Sequence, residues 1–276
     1  MKPVALSGRL KAVCDMVTVG NRVCDVGCDH GFVPIYLIEQ GISPGVLAMD
    51  VRSGPLNAAK EHVAEHGLRS VIETRLSDGL HNYGIDEADT LICAGMGGRL
   101  IMRILSGDCE KTESFRELIL QPQSEIERFR GWLRRQGYCI TDENMIEEDG
   151  KFYPMMRVVI DAKKQDSQVC GYEEICMELG QRQSLVDTGE MSILNNICNC
   201  QEGQMLCKLM DRYGPYLLLH KNNTLKAYLA REDRIYGEIA GNLRAMGLLD
   251  EKRKKRYAEV MELMGECRMA LEMVTS

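Results

Sequence analysis

Short apolar runs alternate with amphipathic stretches over the first 162 residues of the chain. The alternation predicts helices between the early runs; residues 55–66, for example, place Leu56, Ala59, Val63 and Ala64 on one helical stripe. Short strands that alternate with helices indicate a parallel sheet covered on both faces. The runs that we interpret as strands are residues 22–26, 46–50, 71–76, 90–94, 118–121, 138–144 and 155–160.

The connection between the last two runs changes the expected sheet. Residues 145–153 are acidic, carry Gly150 and are too few for a helical crossover, so the final pair should be antiparallel. The sequence therefore predicts an α/β, Rossmann-like domain over residues 1–165. Its sheet should be seven-stranded and mixed, with the last strand antiparallel.

The pattern changes after residue 165, where strand-like runs stop. Residues 172–212 predict short helices with turns near Gly180, Gly189 and Gly203. Two longer segments then repeat apolar residues in steps of three and four, with a turn possible at residues 247–250. We expect a C-terminal helical hairpin, coiled-coil-like, within a domain over residues 166–276. Its two seams are Leu225, Leu229, Glu232, Tyr236, Ile239, Leu243 and Met246, and Tyr257, Val260, Met264, Cys267, Leu271 and Val274.

Composition and charge narrow the possible partners. The chain has 276 residues and a net charge of −7, so bulk charge does not favour nucleic acid. Local basic clusters are either phosphate contacts or solvated helix faces: Arg128, Arg130, Arg134 and Arg135; Lys2, Arg9 and Lys11; and residues 252–256. No run is long enough to cross a bilayer and no signal peptide is evident, which favours a cytoplasmic protein. The histidines lack zinc-ligand spacing, so we expect no metal.

The candidate cofactor site begins where the first predicted strand ends. The pattern there is Asp25-x-Gly27-x-x-x-Gly31, and Asp50 ends the next strand. A dinucleotide fingerprint needs a glycine where Asp29 stands, and a carboxylate there would repel a pyrophosphate. S-adenosylmethionine has no phosphate and carries a sulfonium and an ammonium, which acids attract. Asp50 could accept hydrogen bonds from the ribose of either cofactor.

Later strand ends add to this site, because ligands bind beyond the carboxyl ends of such strands. Ser77-Asp78-Gly79 is either an adenine contact or an ordinary turn, and His30 either lines the pocket or only starts a helix. The three glycines of Ala94-Gly95-Met96-Gly97-Gly98 indicate close backbone approach. The cofactor-binding candidates are Asp25, Gly27, Cys28, His30, Gly31, Asp50, Val51, Ser77, Asp78, Gly79, Ala94, Gly95 and Met96.

Five segments of the chain resemble one known family. They are Leu6-Ser7-Gly8-Arg9-Leu10, Asp25-Val26-Gly27-Cys28-Asp29-His30, Ala94-Gly95-Met96-Gly97-Gly98, Leu118-Ile119-Leu120-Gln121-Pro122 and Tyr213-Gly214-Pro215-Tyr216-Leu217-Leu218. The family is the bacterial tRNA (adenine-N1)-methyltransferases that act on adenine 22. The resemblance implies a class I methyltransferase domain, S-adenosylmethionine as cofactor, and methylation of N1 of an adenine in the tRNA D-arm. Family members often have serine at Cys28 and asparagine at Gln123.

The expected chemistry assigns one catalytic residue. Methylated adenine is cationic, so an acceptor near its exocyclic amine would stabilise the transition state, and Asp29 is our candidate. Its alternative role is to cap the following helix. The substrate-binding candidates are Arg9, Gly97, Gln121, Pro122, Gln123, Lys252, Arg253 and Lys254.

Alternatives remain at this stage. They are an NAD-linked oxidoreductase and a catalytically silent RNA-binding adaptor on a methyltransferase fold. We expect a monomer, although exposed heptads could also dimerise.

Overall fold

The computed structural model describes residues 4–160, 170–182, 201–246 and 250–276. The chain divides into two compact units, Met1–Cys170 and Gly171–Ser276. The predicted domain boundary between residues 165 and 166 lies outside the described residues.

The first unit is a sheet with helices. Within the described residues, seven strands form one sheet in the order β3-β2-β1-β4-β5-β7-β6, and β7 runs antiparallel to both of its neighbours. The predicted mixed sheet with an antiparallel last strand is therefore confirmed. Its elements are α1 (Gly8–Asp15), β1 (Val23–Val26), α2 (Phe32–Glu39), β2 (Val46–Asp50), α3 (Ser53–Glu65), β3 (Ile72–Leu76), β4 (Thr90–Met96), α4 (Gly98–Gly107), α5 (Cys109–Ser114), β5 (Glu117–Pro122), α6 (Ile126–Arg135), β6 (Tyr138–Glu148) and β7 (Lys151–Ile160).

The final hairpin is longer than predicted. Residues 145–153 were expected to form a link, but most of them belong to β6 and β7, which pair as far as Glu148 and Lys151. The turn itself is only Asp149-Gly150, and both residues have positive φ, 52° and 71°. Such a two-residue turn matches the twist of the flanking strands, so pairing continues up to it.

The order of the strands places a crevice at the centre of the sheet. All residues of β1, β2 and β5 are buried, as expected for strands covered on both faces. The strand β1 has β2 on one side and β4 on the other, so the chain changes direction across the sheet at this point. Ligands of open α/β sheets bind beyond the carboxyl ends of the strands at such a point.

The second unit is helical. Its described helices are α7 (Gly171–Arg182), α8 (Gln201–Tyr213), α9 (Pro215–Leu219), α10 (Asn223–Ala245) and α11 (Glu251–Thr275). Turns were predicted near Gly180 and Gly203; both glycines themselves lie within helices, and residues 183–200 between those helices are outside the described residues. One glycine costs a helix interior only about 1 kcal/mol relative to alanine, which the neighbouring residues can offset. The predicted turn at Gly189 lies outside the described residues.

The two long helices form the predicted antiparallel hairpin. The Cys267 thiol lies 3.3 Å from the Leu229 carbonyl oxygen, and the Arg253 guanidinium donates to the Met246 carbonyl oxygen, so the chain returns along itself. Residues 247–249 of the predicted turn lie outside the described residues. Met246, the last residue of the first predicted seam, is not buried, since it is 65% exposed. Glu232, the polar residue in the seam, hydrogen-bonds with Tyr236, as a polar residue in a seam requires.

Two features are absent from the described residues. Across those parts of the chain, no helix is both long and apolar enough to cross a bilayer. Among the same residues, no group of three or more histidine, cysteine, aspartate or glutamate side chains could hold a metal ion.

Candidate active site

A cavity of about 620 Å³ opens at the carboxyl ends of β1, β2, β3 and β4. The structure brings to it nearly all of the predicted cofactor residues, and two of the predicted substrate residues, Arg9 and Gln123. The predicted cofactor residues that line it are Asp25, Gly27, Cys28, His30, Asp50, Val51, Ser77, Asp78, Gly79, Ala94, Gly95 and Met96.

Two buried carboxylates form the floor of the cavity. Asp25 is the penultimate residue of β1 and Asp50 is the last residue of β2, and each is only 4% exposed. Burial, and secondarily the charge of Asp50, raises the pKa of Asp25 to about 7. Desolvation and a like charge both oppose ionisation, so a cation placed beside Asp25 would restore its charged form.

Asp50 also holds the two loops that flank it. One of its carboxylate oxygens accepts a hydrogen bond from the Arg52 backbone amide at 2.8 Å, and the other accepts from the Asp29 amide at 3.3 Å. The guanidinium of Arg52 lies 3.8 Å from the Asp50 carboxylate. One carboxylate therefore fixes the turn after β1 relative to the turn after β2.

Asp29 lies at the rim of the cavity in an uncommon backbone conformation. Its φ is 49°, a left-handed value that non-glycine residues adopt rarely and often at functional sites. Its carboxylate is 61% exposed and lies 3.8 Å from both Arg52 and His30. The capping alternative for Asp29 is wrong, because α2 begins at Phe32 and its N-cap is Gly31.

The two glycines of the first turn have different roles. Gly27 lines the cavity at a φ of 81°, and a Cβ there would overlap the Met96 methyl group. Gly31 has a φ of 77°, and a Cβ there would lie 2.9 Å from the Cβ of Ala59 in α3. Gly31 is therefore needed for the packing of α2 on α3. Its predicted place in the cofactor pocket is not found, since it does not line the cavity.

Gln121 supports the cavity from behind. Its side chain is fully buried, and its carbonyl oxygen accepts hydrogen bonds from the Gly95 amide at 3.1 Å and from the Arg9 guanidinium at 2.8 Å. Arg9 also lies over the ring of Tyr153, 5.5 Å from its centroid. Gln121 thus joins the end of β4 to the helix α1. Neither Gly97 nor Pro122 lines the cavity, although both were predicted substrate residues.

The segment Ser77-Asp78-Gly79 forms a turn at the edge of the cavity. The Ser77 hydroxyl donates to the Gly79 carbonyl oxygen at 2.8 Å and accepts from the Asn82 amide at 3.0 Å, so it stabilises a turn. All three residues also line the cavity. The Asp78 carboxylate is exposed and lies 3.9 Å from the Arg103 guanidinium.

Sequence reasoning missed several residues of the cavity wall. Leu100, Arg103 and Ile104 come from one face of α4, at the i, i+3 and i+4 spacing of a helical stripe, directly after the glycine-rich turn. That helical spacing could have predicted these three residues from the sequence. Arg52 was also missed, although it lies only two residues after Asp50. The remaining missed wall residues are Leu10, Val26, Phe32 and Val33.

The basic clusters, which were candidates for phosphate contact, differ in exposure and in ion pairing. Arg130 is buried and pairs with Glu143 at 2.8 Å, so its proposed phosphate contact is wrong. Lys11 pairs with Asp15, and Lys2 lies outside the described residues. In the run at residues 252–256, Arg253, Lys254 and Arg256 pair with acids on their own helix or at its N-cap. Lys252 and Lys255 are exposed and form no ion pair with any residue that the structure describes.

The chain is similar to known methyltransferases. A family model described as "Methyltransferase domain" matches residues 6–156. A tRNA (adenine(22)-N(1))-methyltransferase of Bacillus subtilis (strain 168) is 36% identical over 180 residues, which are 65% of this chain and 74% of the relative.

Solved structures give the same result over a longer span. The crystal structure of the B. subtilis m1A22 tRNA methyltransferase TrmK has a TM-score of 0.71 at 26% identity, covering 97% of this chain and 99% of that one. Streptococcus pneumoniae Sp1610 in complex with S-adenosyl-L-methionine has a TM-score of 0.68 at 25% identity, covering 97% and 100%.

Proposed function

We propose that this chain, which belongs to the tRNA (adenine(22)-N(1))-methyltransferase family, transfers a methyl group from S-adenosylmethionine to N1 of adenine 22 in tRNA. One observation carries the proposal: the ends of β1 and β2 place two buried carboxylates, Asp25 and Asp50, in one cavity. That cavity lies within the residues that match the methyltransferase family.

The donor set of the cavity fits this cofactor. Asp25 ionises reluctantly because it is buried beside Asp50, and the ammonium or sulfonium of S-adenosylmethionine would offset both effects. Asp50 is placed to accept hydrogen bonds from a ribose. A dinucleotide would instead bring a pyrophosphate to a turn edged by Asp25, Asp29 and Asp50. The comparisons favour the methyltransferase over the NAD-linked alternative.

The residues of this chain would stabilise positive charge on the substrate rather than remove a proton from it. When bound, S-adenosylmethionine supplies an electrophilic methyl group. Adenine N1 already has a lone pair at neutral pH, and the ring becomes cationic as the new bond forms. The exposed carboxylate of Asp29 would accept a hydrogen bond from the exocyclic amine and stabilise that charge. Asp50 and Arg52 hold Asp29 in place before the reaction.

The substrate side of the cavity is formed by Arg9 and Gln123. Gln121 acts as a positioning residue here, because its buried amide holds both Arg9 and Gly95 at the end of β4. In the helical unit, the residues available to phosphates are Lys252 and Lys255, whereas Arg253 and Lys254 already have acidic partners. We assign methyl transfer to residues 1–165 and further tRNA contact to residues 166–276.

Methylation of tRNA tests the proposal directly. The full chain is incubated with labelled S-adenosylmethionine and total tRNA, and the product is mapped by reverse-transcription stops, since a methyl group on N1 blocks base pairing. We expect a stop at position 22, and none with a transcript that has guanine there. Saturable cofactor binding without methyl transfer to any RNA would instead support the silent adaptor.

A further inference from the structure

Three aromatic rings lie together at the mouth of the cavity. Phe32, the first residue of α2, stacks on His62 of α3, with ring centroids 4.8 Å apart and planes inclined by 20°. The His30 ring is 6.1 Å from both. The Nδ1 atom of His62 is 2.9 Å from the His30 carbonyl oxygen, so the imidazole that backs Phe32 is held to the turn after β1.

The exposure of Phe32 is unusual for its place in the fold. The residues that follow it in α2, Val33, Ile35 and Leu37, are buried in the core, but Phe32 is 40% exposed and lines the cavity. His62 rests against one face of its ring. A large ring that is held in place and left open beside a reaction site is suited to receive a flat partner.

The neighbouring groups indicate which flat partner fits. Asp29 and His30 lie three and two residues before Phe32, and the Asp29 carboxylate is an exposed acceptor beside the His30 ring. A base with an exocyclic amine could stack on the phenyl ring and donate to this carboxylate. Adenine has such an amine next to N1, the atom that is methylated.

We infer that Phe32 is the stacking platform for the target adenine after it leaves the tRNA helix, and that His62 is a positioning residue that holds this platform. The inference rests on the proposed function. A base that is extruded from a stack loses its neighbours, and an aromatic side chain can replace them. Base stacking on an aromatic residue contributes about 1–3 kcal/mol in nucleic-acid-binding proteins, which corresponds to roughly 5- to 150-fold.

Three variants of Phe32 separate stacking from bulk. Phe32→Tyr keeps a ring, Phe32→Leu keeps apolar volume without one, and Phe32→Ala removes both. Ile85→Ala is the control, since Ile85 is also a large exposed apolar residue of the first unit but does not line the cavity. For each variant we would measure kcat/KM with tRNA, the Kd for tRNA, and the Kd for S-adenosylmethionine by calorimetry.

We expect kcat/KM to fall by about 10- to 100-fold in both Phe32→Ala and Phe32→Leu, and to stay within about 3-fold in Phe32→Tyr and Ile85→Ala. The Kd for S-adenosylmethionine should stay within about 2-fold, which also shows that the variants fold. The Kd for tRNA should change less than kcat/KM, because the cost of extruding the base offsets its stacking in the bound complex. His62→Ala should lower kcat/KM by part of this amount, and His62→Phe should recover kcat/KM relative to His62→Ala.

Two results would overturn the inference while leaving the proposed function standing. In the first, Phe32→Leu or Phe32→Ala methylates adenine 22 like the wild type. In the second, cofactor affinity falls as much as kcat/KM, which would make Phe32 part of the cofactor site. If the wild-type chain methylates no tRNA although it binds the cofactor, the proposed function itself is wrong and the stacking role is wrong with it.

Discussion

Two buried acidic side chains, one in each unit of the chain, have opposite surroundings. In the helical unit, Glu266 is 1% exposed and is held by Lys208 and Arg212, each at 2.6 Å. In the sheet unit, Asp25 is 4% exposed, and burial together with the neighbouring charge of Asp50 raises its pKa. Removing a buried acid that has cations of its own destabilises a fold, whereas a buried acid that resists ionisation in a cavity indicates a ligand site.

The largest expected effect is on the helical unit. Glu266→Ala should lower the free energy of unfolding by about 3–5 kcal/mol, because it removes the buried acid that faces both Lys208 and Arg212 at 2.6 Å. The matched control is Glu262→Ala, which removes an exposed partner of the same Lys208 and should cost less than about 1 kcal/mol. Urea unfolding of both variants measures the difference. Equal costs would mean that Glu266 does not stabilise this unit in the way described.

The next effect concerns catalysis in the sheet unit. Asp29→Asn should lower kcat by about 100- to 1000-fold, because the transition state loses a charged acceptor. The Kd for S-adenosylmethionine should stay within about 2-fold. Asp86→Asn is the matched control, since Asp86 also has a positive φ but does not line the cavity. Single-turnover methyl transfer measures both variants, and near wild-type turnover in Asp29→Asn contradicts the assignment.

The raised pKa of Asp25 predicts how cofactor affinity depends on pH. With a pKa of about 7 in the free protein, the acid is neutral below that pH and cannot attract a cation. The ionised fraction falls from about 0.9 at pH 8 to about 0.1 at pH 6, so affinity for S-adenosylmethionine should weaken by about 10-fold over that range. Calorimetry at both pH values measures the change. Asp25→Asn should bind weakly with a flat profile, and a similar slope in that variant would assign the titration to another group.

The smallest expected effect is on RNA contact by the helical unit. Replacing Lys252 and Lys255 together by alanine should weaken tRNA binding a few-fold and lower the salt slope by about 2, since each lysine would neutralise one phosphate. The control replaces Arg253 and Arg256, which already pair with Asp250 and Glu259. Filter binding at several salt concentrations measures both. A larger loss in the control pair would show that the local ion pairs open on RNA.

The sequence alone predicted most residues of the cavity, because in a parallel sheet the position of a residue along its strand determines where it lies in the fold. Parallel strands all end at one edge, so acids at the ends of successive strands, such as Asp25 and Asp50, must meet there. The heptad steps predicted the helical hairpin for a similar reason, since they repeat along each helix. In both cases the pattern depends on neighbours that are close in the sequence.

The features that the sequence did not predict depend on contacts between distant residues. Phe32 stacks on His62, which is thirty positions later, and no local pattern links them. Arg130 belongs to a basic run, but only its contact with Glu143 of β6 shows that it is buried. Glu266 lies outside the predicted seam of α11, and its burial follows from Lys208 and Arg212 of α8.

The central claim is that the acid-lined cavity of the sheet unit binds a cationic methyl donor. Isothermal titration of the full chain with S-adenosylmethionine, its demethylated product and NADH, each in a separate experiment, tests this claim most directly. We predict saturable heat at one site for the methyl donor and for its product, and none for NADH. Saturation by NADH together with no heat from S-adenosylmethionine would contradict it.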